Sequence, residues 1–441
     1  METNIENIKM ERYPVYKESG VEWLGEVPEH WGISRLGVLL NPKSENNRID
    51  LPLLSITREK GVILRDLDNE AENHNYVPDD LSNYKVLRKG QFGMNKMKAW
   101  QGSYGVSDYD GIVSPAYFIF VFDKKIDPKF FHISIRSKLY VSFFGSASDG
   151  VRIGQWDLSK ERMKQIPFLI PPHTEQTRIA QFLDRKTAQI DQAIAQKERL
   201  IELLKARRQI LIHNAVTRGL NPEVKMKDSG VEWIGMVPEH WEVTRMKFIT
   251  YFINDGTHGS YPRVENGYRL LSVRNLVEDK FVFREDDSRV SERHFKEISA
   301  KFIVKNNDIQ LAIVGATLGK VALVEAMEEL FVTQRSICTI RMNKTHFVAK
   351  FILFYLKSRA FQSYLWNNTD FSAQPGVYLG TVKNAFVPFP PKSEQSAIVA
   401  YIESADQKIT TAITCKQSEI EKLKEYKATL INSAVTGKIR V

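Results

Sequence analysis

The sequence holds only two cysteines, Cys338 and Cys415, among 441 residues. Neither stands in a CxxC pair, which argues against a disulfide scaffold or a cysteine-based zinc site and leaves two reduced thiols. Long apolar runs are also missing. The longest, Ile112 to Phe122 and Phe347 to Leu356, fall well short of the roughly 20 residues a membrane helix needs, and Lys350 interrupts the second. The opening METNIENIKMER is polar and has no apolar h-region, so no secretion signal is indicated. A soluble, cytoplasmic chain with no membrane partner is the expectation.

Signatures of chemistry are missing as well. Gly315-Ala-Thr-Leu-Gly319-Lys320 has one residue too few between its glycines for a phosphate loop, and Val321 stands where Ser or Thr would hold magnesium. Pro78-Asp79 is not followed by the acidic-x-Lys strand of a metal-dependent nuclease. There is no Asn-Pro-Pro-aromatic run to hold a flipped adenine and no glycine-rich strand–turn–helix for a methyl donor. The nine histidines include no HExxH. Ser107-Asp108 and Ser288 have no evident histidine partner along the chain. The expectation is a non-catalytic chain with no metal and no cofactor of its own.

What is present is enough apolar side chain for sizeable cores, at 43% hydrophobic and 11% aromatic. A length of 441 residues points to two or more domains. The formal charge of +9 and pI near 9.2 suit a polyanion-binding surface, although acidic and basic residues are mixed throughout.

Internal repetition decides the organisation. Residues 17–31, KESGVEWLGEVPEHW, match residues 227–241, KDSGVEWIGMVPEHW, at 12 of 15 positions. A second pair begins at Pro171 (PPHTEQTRIAQFLDRKTAQID) and Pro390 (PPKSEQSAIVAYIESADQKIT), and Asn214–Thr217 matches Ser433–Thr436. The chain is a tandem duplication. Between the matching pieces the two halves share little identity, so each half combines a repeated frame with a diverged insert. His30 and His240, inside the repeated PEHW, read as packed structural corners.

The repeated terminal segments read as long helices. Thr174-Glu175 and Ser393-Glu394 suit helix starts, as cap and as dipole-complementing acid. Apolar residues then recur at Ile179, Phe182, Leu183, Ile190, Ile194, Ile201, Leu204 and Leu211. The second copy repeats them at Ile398, Tyr401, Ile402, Ile409, Ile413, Ile420, Leu423 and Leu430. Neither segment contains Pro or Gly, and some forty helical residues make a rod of roughly 60 Å. A stripe this narrow on a rod this long calls for a partner helix. The other copy is the candidate, packed antiparallel about a pseudo-two-fold axis. The inserts read as mixed α and β. Tyr117–Phe122, Lys301–Ile313 and Ile337–Met342 look like strands, and Phe131–Phe144 and Phe347–Trp366 look like helices. The expected fold class is α+β: two similar mixed α/β globular domains separated by two long antiparallel coiled-coil helices. The boundaries are 1–170, 171–218, 219–389 and 390–441.

The duplicated SGVEW(L/I)G-VPEHW and the PP-x-(T/S)-EQ helix openings resemble the specificity subunit of type I restriction-modification systems. So do DYDGIVSPAYFIF from Asp108, DGTHGSYP from Asp255, and Leu270-Leu271-Ser272-Val273-Arg274-Asn275. The resemblance covers essentially the whole chain. It implies two target-recognition domains, each reading half of a split site on double-stranded DNA. It also implies spacer helices, built on the apolar positions named above, that dock two methyltransferase and two restriction–translocase subunits. S-adenosylmethionine, ATP and magnesium would then belong to those partners. The candidate DNA contacts in the first domain are Asn95, Lys96, Lys98, Trp100, Gln101, Ser103 and Tyr104. In the second they are Thr257, His258, Arg274, Asn275, Thr317, Lys320, Gln334 and Arg335. A stand-alone methyltransferase or nuclease and a non-reading coiled-coil scaffold are the alternatives.

Overall fold

A computed structural model describes residues 11–66, 77–152, 155–325, 327, 329–343, 345–371 and 374–441. The first ten residues, read above as part of a polar start, lie outside it. The chain divides into two compact units, residues 1–197 with 417–441 and residues 198–416. This division cuts both long helices, His173–Arg218 and Lys392–Val435, near their middles. The helices are therefore not bodies apart. Each contributes one half to the core of one unit and the other half to the core of the other.

In the first unit, Ile179, Leu183 and Ile190 of the first helix and Leu423, Leu430 and Val435 of the second share one buried core with Trp31, Phe130 and Phe168. Lys427 contacts Asp191 at 2.6 Å and Lys197 contacts Glu419, so the two half-helices run antiparallel. These pairs are partly exposed and contribute at most about 1 kcal/mol each. Burial of the Ile and Leu stripe, roughly 1.5–3 kcal/mol per side chain, sets the register. In the second unit, Ile212, Ala215 and Val216 share a core with Ile398, Ile402 and Trp241, and Arg208 bonds Asp406 at 2.8 Å. These helices are again antiparallel. Ile201, Ile409 and Ile420 are also buried, and Ile194, Leu204, Leu211 and Ile413 are half-buried. Apart from Tyr401, which is exposed, the stripe is thus used in packing inside the chain, which leaves mainly other helix positions for any external partner.

Each repeated PEHW is a packed corner, as the sequence suggested. Trp31 and Trp241 are fully buried. His30 Nε2 lies 2.9 Å from Glu175, and His240 Nε2 lies 2.7 Å from Glu394, the acid in the first turn of each long helix. Tyr13 donates to Glu175, and Trp241 Nε1 donates to Glu394 at 2.9 Å. The far helix ends close on the same corners. Gly437, at φ +71°, sits against Pro28 and Trp31, and Gly219, at φ +75°, sits against Pro238 and Trp241. Both glycines hold the left-handed conformation that ends a helix.

The insert of the first unit carries a four-stranded antiparallel sheet in the order Leu40–Pro42, Phe118–Phe122, Phe92–Met94, Tyr104–Val106. That of the second carries a six-stranded sheet ordered Thr250–Asp255, Ile337–Met342, Ile309–Ala312, Val321–Leu323, Lys280–Phe281, Leu276–Val277. Two expectations change in detail. The helix read over Phe131–Phe144 is a pair, Pro128–Ile135 and Lys138–Ser146, and that over Phe347–Trp366 is Ala349–Lys357 and Arg359–Asn367. Each pair breaks at a serine in extended geometry, Ser137 and Ser358, which starts the following helix. Of Lys301–Ile313 only Ile309–Ala312 is strand.

Candidate nucleic-acid interface

In the first unit Met94 pairs with both Tyr104 and Phe118. The loop from Asn95 to Ser103 and the turn from Ser114 to Tyr117 therefore leave the sheet at the same end. Three of the residues singled out in that loop build it. Tyr104 is fully buried in the core. Asn95 is buried, accepting from Met97 N through Oδ1 and donating to Tyr117 Oη at 3.1 Å. Ser103 is buried, and its carbonyl accepts from Asn95 N. These three have no surface to offer a duplex and drop out of the candidate contacts. Lys98 is exposed, Lys96 reaches Asp157 at 3.4 Å, and Gln101 is half-buried. Trp100 stacks on Trp156, with ring centroids 5.3 Å apart.

The second unit repeats the construction. Leu311 pairs with Val321 and Cys338, and Cys338 pairs with Asp255. This brings the segments after Asp255, from Ile313 to Lys320 and from Gln334 to Ser336 to one end of the sheet. Thr257 N donates to Thr333 O at 2.8 Å and Arg335 N to Thr257 O at 3.0 Å, which ties two of these loops together. A side chain at Gly256 would strike the Thr333 carbonyl, so only glycine permits this approach. Thr257, His258, Thr317, Lys320, Gln334 and Arg335, singled out separately in the sequence, thus converge. His258 leans on Asp255 at 2.5 Å, and Lys301 reaches the same carboxylate at 3.2 Å. Burial pushes the Asp255 carboxyl up, but hydrogen bonds from His258 and Lys301 outweigh it and hold it below the ordinary carboxylate range. Lys320 and Arg335 are exposed and have no acidic partner among the described residues. They are free to meet phosphate or a base edge.

Arg274 and Asn275 belong to a separate construction. Asn275 is fully buried; its Oδ1 accepts from Ser272 N and its amide donates to Val282 O and Asp287. It shapes a turn and offers no surface. Arg274 is half-exposed but bonded to Asp286 at 2.8 Å and Asp287 at 2.9 Å, which neutralise it. It lines the rim of a depression of about 690 Å³ together with Thr317 and Lys320.

Sequence reasoning missed a second layer in both units. In the first, the hairpin Ser148–Arg152 with Gln155–Leu158 carries Trp156 and lies on the 95–103 loop, with Leu158 N donating to Lys96 O. In the second, the segment from Gln374 to Tyr378 is bonded to the 313–319 turn. The second strand of that hairpin, Gln155–Leu158, and residues 374–377 lie 219 positions apart, the same offset as the helix openings. That offset was the signal that could have found them.

Among the described residues no three His, Cys, Asp or Glu side chains gather as a metal site, and no helix is long and apolar enough to cross a membrane.

Two mixed α/β units, each with a loop cluster at one sheet end and a share of a long antiparallel helix pair, match a known class. Residues 265–422 match the family described as type I restriction modification DNA specificity domain. The chain is 27% identical over 308 residues to the type I restriction enzyme MjaVIII specificity subunit of Methanocaldococcus jannaschii, covering 69% of each. It is 28% identical over 310 residues to the EcoBI specificity subunit of Escherichia coli, covering 66% of this chain and 63% of that one. Its fold is similar to a chain of a solved type I restriction-modification system (TM-score 0.68, 14% identity, 93% and 98% of the two chains). It is also similar to the HsdS subunit of Thermoanaerobacter tengcongensis (TM-score 0.57, 16% identity, 96% and 100%). The resemblance read from the duplicated segments therefore holds: residues 265–422 carry a type I restriction modification DNA specificity domain, and the relatives this chain is similar to are type I specificity subunits.

Proposed function

We propose that the chain reads a bipartite, asymmetric DNA site, one half per unit, and supplies no catalysis of its own. The observation that carries this reading is the pair of equivalent loop clusters, built on the same strand pattern but from different side chains. Lys98, Trp100 and Gln101 stand in one, and Thr317, Lys320, Gln334 and Arg335 in the other. Lys and Arg would position each unit on phosphates, while amide, hydroxyl and guanidinium groups read base edges. Different side chains on a common frame support two different half-sites. The long helix pair would set the gap between them and dock two methyltransferase and two restriction subunits. S-adenosylmethionine, ATP and magnesium would be bound by those subunits.

The test is the host methylome. Deleting this gene should abolish one gapped, asymmetric adenine-methylated motif, and an unchanged methylome counts against the reading. Lengthening both helices by matched whole turns, at 197/198 and 416/417, should widen the gap and leave both half-motifs as they were.

A further inference from the structure

Gln374 and Tyr378 are two large side chains on the second unit that the fold does not use. Tyr378 is 73% exposed, and Gln374 is exposed as well. Neither side chain makes a hydrogen bond to another described residue. Tyr378 precedes the Leu379–Asn384 helix with extended backbone, and its side chain plays no part in capping it.

Their backbone, by contrast, is tightly placed. Gly315 N donates to Pro375 O at 2.8 Å and Val377 N to Ile313 O at 3.0 Å. Asp370 and Gly376 exchange two further bonds at 2.9 and 3.0 Å, and Tyr364 Oη donates to Thr381 O at 3.0 Å, which anchors the following helix. A backbone held this firmly fixes where each side chain leaves the chain, so only side-chain rotamers remain to be ordered on binding. Gln374 and Tyr378 open onto a depression of about 610 Å³ that they share with His258 and Arg335, two of the converging candidate residues. The first unit has the same construction, with the Trp156 hairpin lying on the 95–103 loop.

We propose that Gln374 and Tyr378 are specificity-determining contacts of the second unit with base edges of duplex DNA. The occupant follows from the setting. The surface adjoins the cation Arg335 and sets a carboxamide, a phenol and an imidazole around an aliphatic floor of Ile313, Val314, Val377 and Leu379, with the Asp255 carboxylate at its edge engaged by His258 and Lys301. A glutamine carboxamide can pair with both N6 and N7 of adenine, and a guanidinium with O6 and N7 of guanine. The Tyr378 hydroxyl can donate to either acceptor or to phosphate.

This inference rests on the second unit being a DNA reader, and the experiment separates the two. The full chain, assembled with its methyltransferase subunits, is compared with Q374A, Y378A and Y378F by sequencing methylated bases genome-wide. Q374A should relax one position of one half-motif, with preference there falling on the order of 10-fold, while the other half-motif is unchanged. Y378A should weaken the same half-motif, and Y378F should report the share carried by the hydroxyl. If the wild type shows two defined half-motifs and the alanine variants keep every preference within 2-fold, the inference is overturned and the DNA-reading proposal stands. An equal loss across both half-motifs also overturns it, since that is the mark of a purely structural role. If the wild type shows no defined second half-motif, the underlying reading fails first.

Discussion

His30 Nε2 lies 2.9 Å from the Glu175 carboxylate, joining a histidine of the first repeated segment to the opening turn of the first long helix 145 residues on. The second copy repeats the contact between His240 and Glu394. Glu175 also accepts from Tyr13. Burial raises the pKa of the Glu175 carboxyl, but the bonds from Tyr13 and His30 outweigh it and leave the carboxyl below its usual range. E175A removes this acceptor and strands the buried Tyr13 hydroxyl. We expect about 1–3 kcal/mol of local destabilisation, seen as faster amide exchange across residues 173–183. Exchange in the second unit should be unaffected.

The pH response of the first unit should be dominated by His132. Burial, with help from the Arg136 guanidinium, pushes this imidazole from 6.5 down to about 4, and its Nδ1 accepts from Val106 N at 3.0 Å. The folded state holds it neutral, so the unfolded chain takes up its proton first. The stability this contributes is complete above pH ~6.5 and declines as pH falls toward about 4. Unfolding followed by probes in the first unit should therefore show the wild type losing more stability than H132Q between pH 7 and pH 5.

Gly102 and Gly319 hold equivalent places in the two candidate loops, at φ +89° and +86°. A side chain at Gly319 would also collide with Gln362, whose amide donates to the Gly319 carbonyl at 2.9 Å. G319A should cost about 1 kcal/mol or more and displace Thr317 and Lys320. The expected result is weakened reading of one half-motif. G102A, which meets Val141, should weaken the other.

The architecture was legible because duplication is a long-range signal. The matched segments at 17–31 and 227–241, and the apolar steps from Ile179 and Ile398, depend on pattern alone, and both helices formed where expected. Individual contact residues were not legible. Tyr104 and Asn275 have the chemistry of DNA-binding side chains, yet both are fully buried. Burial depends on strand pairing, which local composition does not encode. The breaks at Ser137 and Ser358 were hidden for a related reason, since apolar periodicity runs through both.

Ring closure gives a further prediction. Arg440 N donates to Glu11 O at 2.8 Å. The place equivalent to both, near Asn221, is continuous chain in the second unit. A permuted chain that starts at Asn221 and joins Val441 to Glu11 should fold with the same two units and the same helix lengths by circular dichroism. Loss of helical signal would contradict that.

The central claim is that each unit reads its own half-site, and a graft tests it most directly. The strands Gly32–Arg35 and Pro167–Ile170 pair with each other, as do Glu242–Arg245 and Phe386–Phe389, so both inserts start and finish on equivalent ladders. Replacing residues 242–389 with residues 32–170 gives a chain with two copies of the first reader. Sequencing methylated bases in cells carrying this chain with its methyltransferase subunits should reveal a motif whose two ends are the same half-site. Retention of the original second half-site would contradict the account.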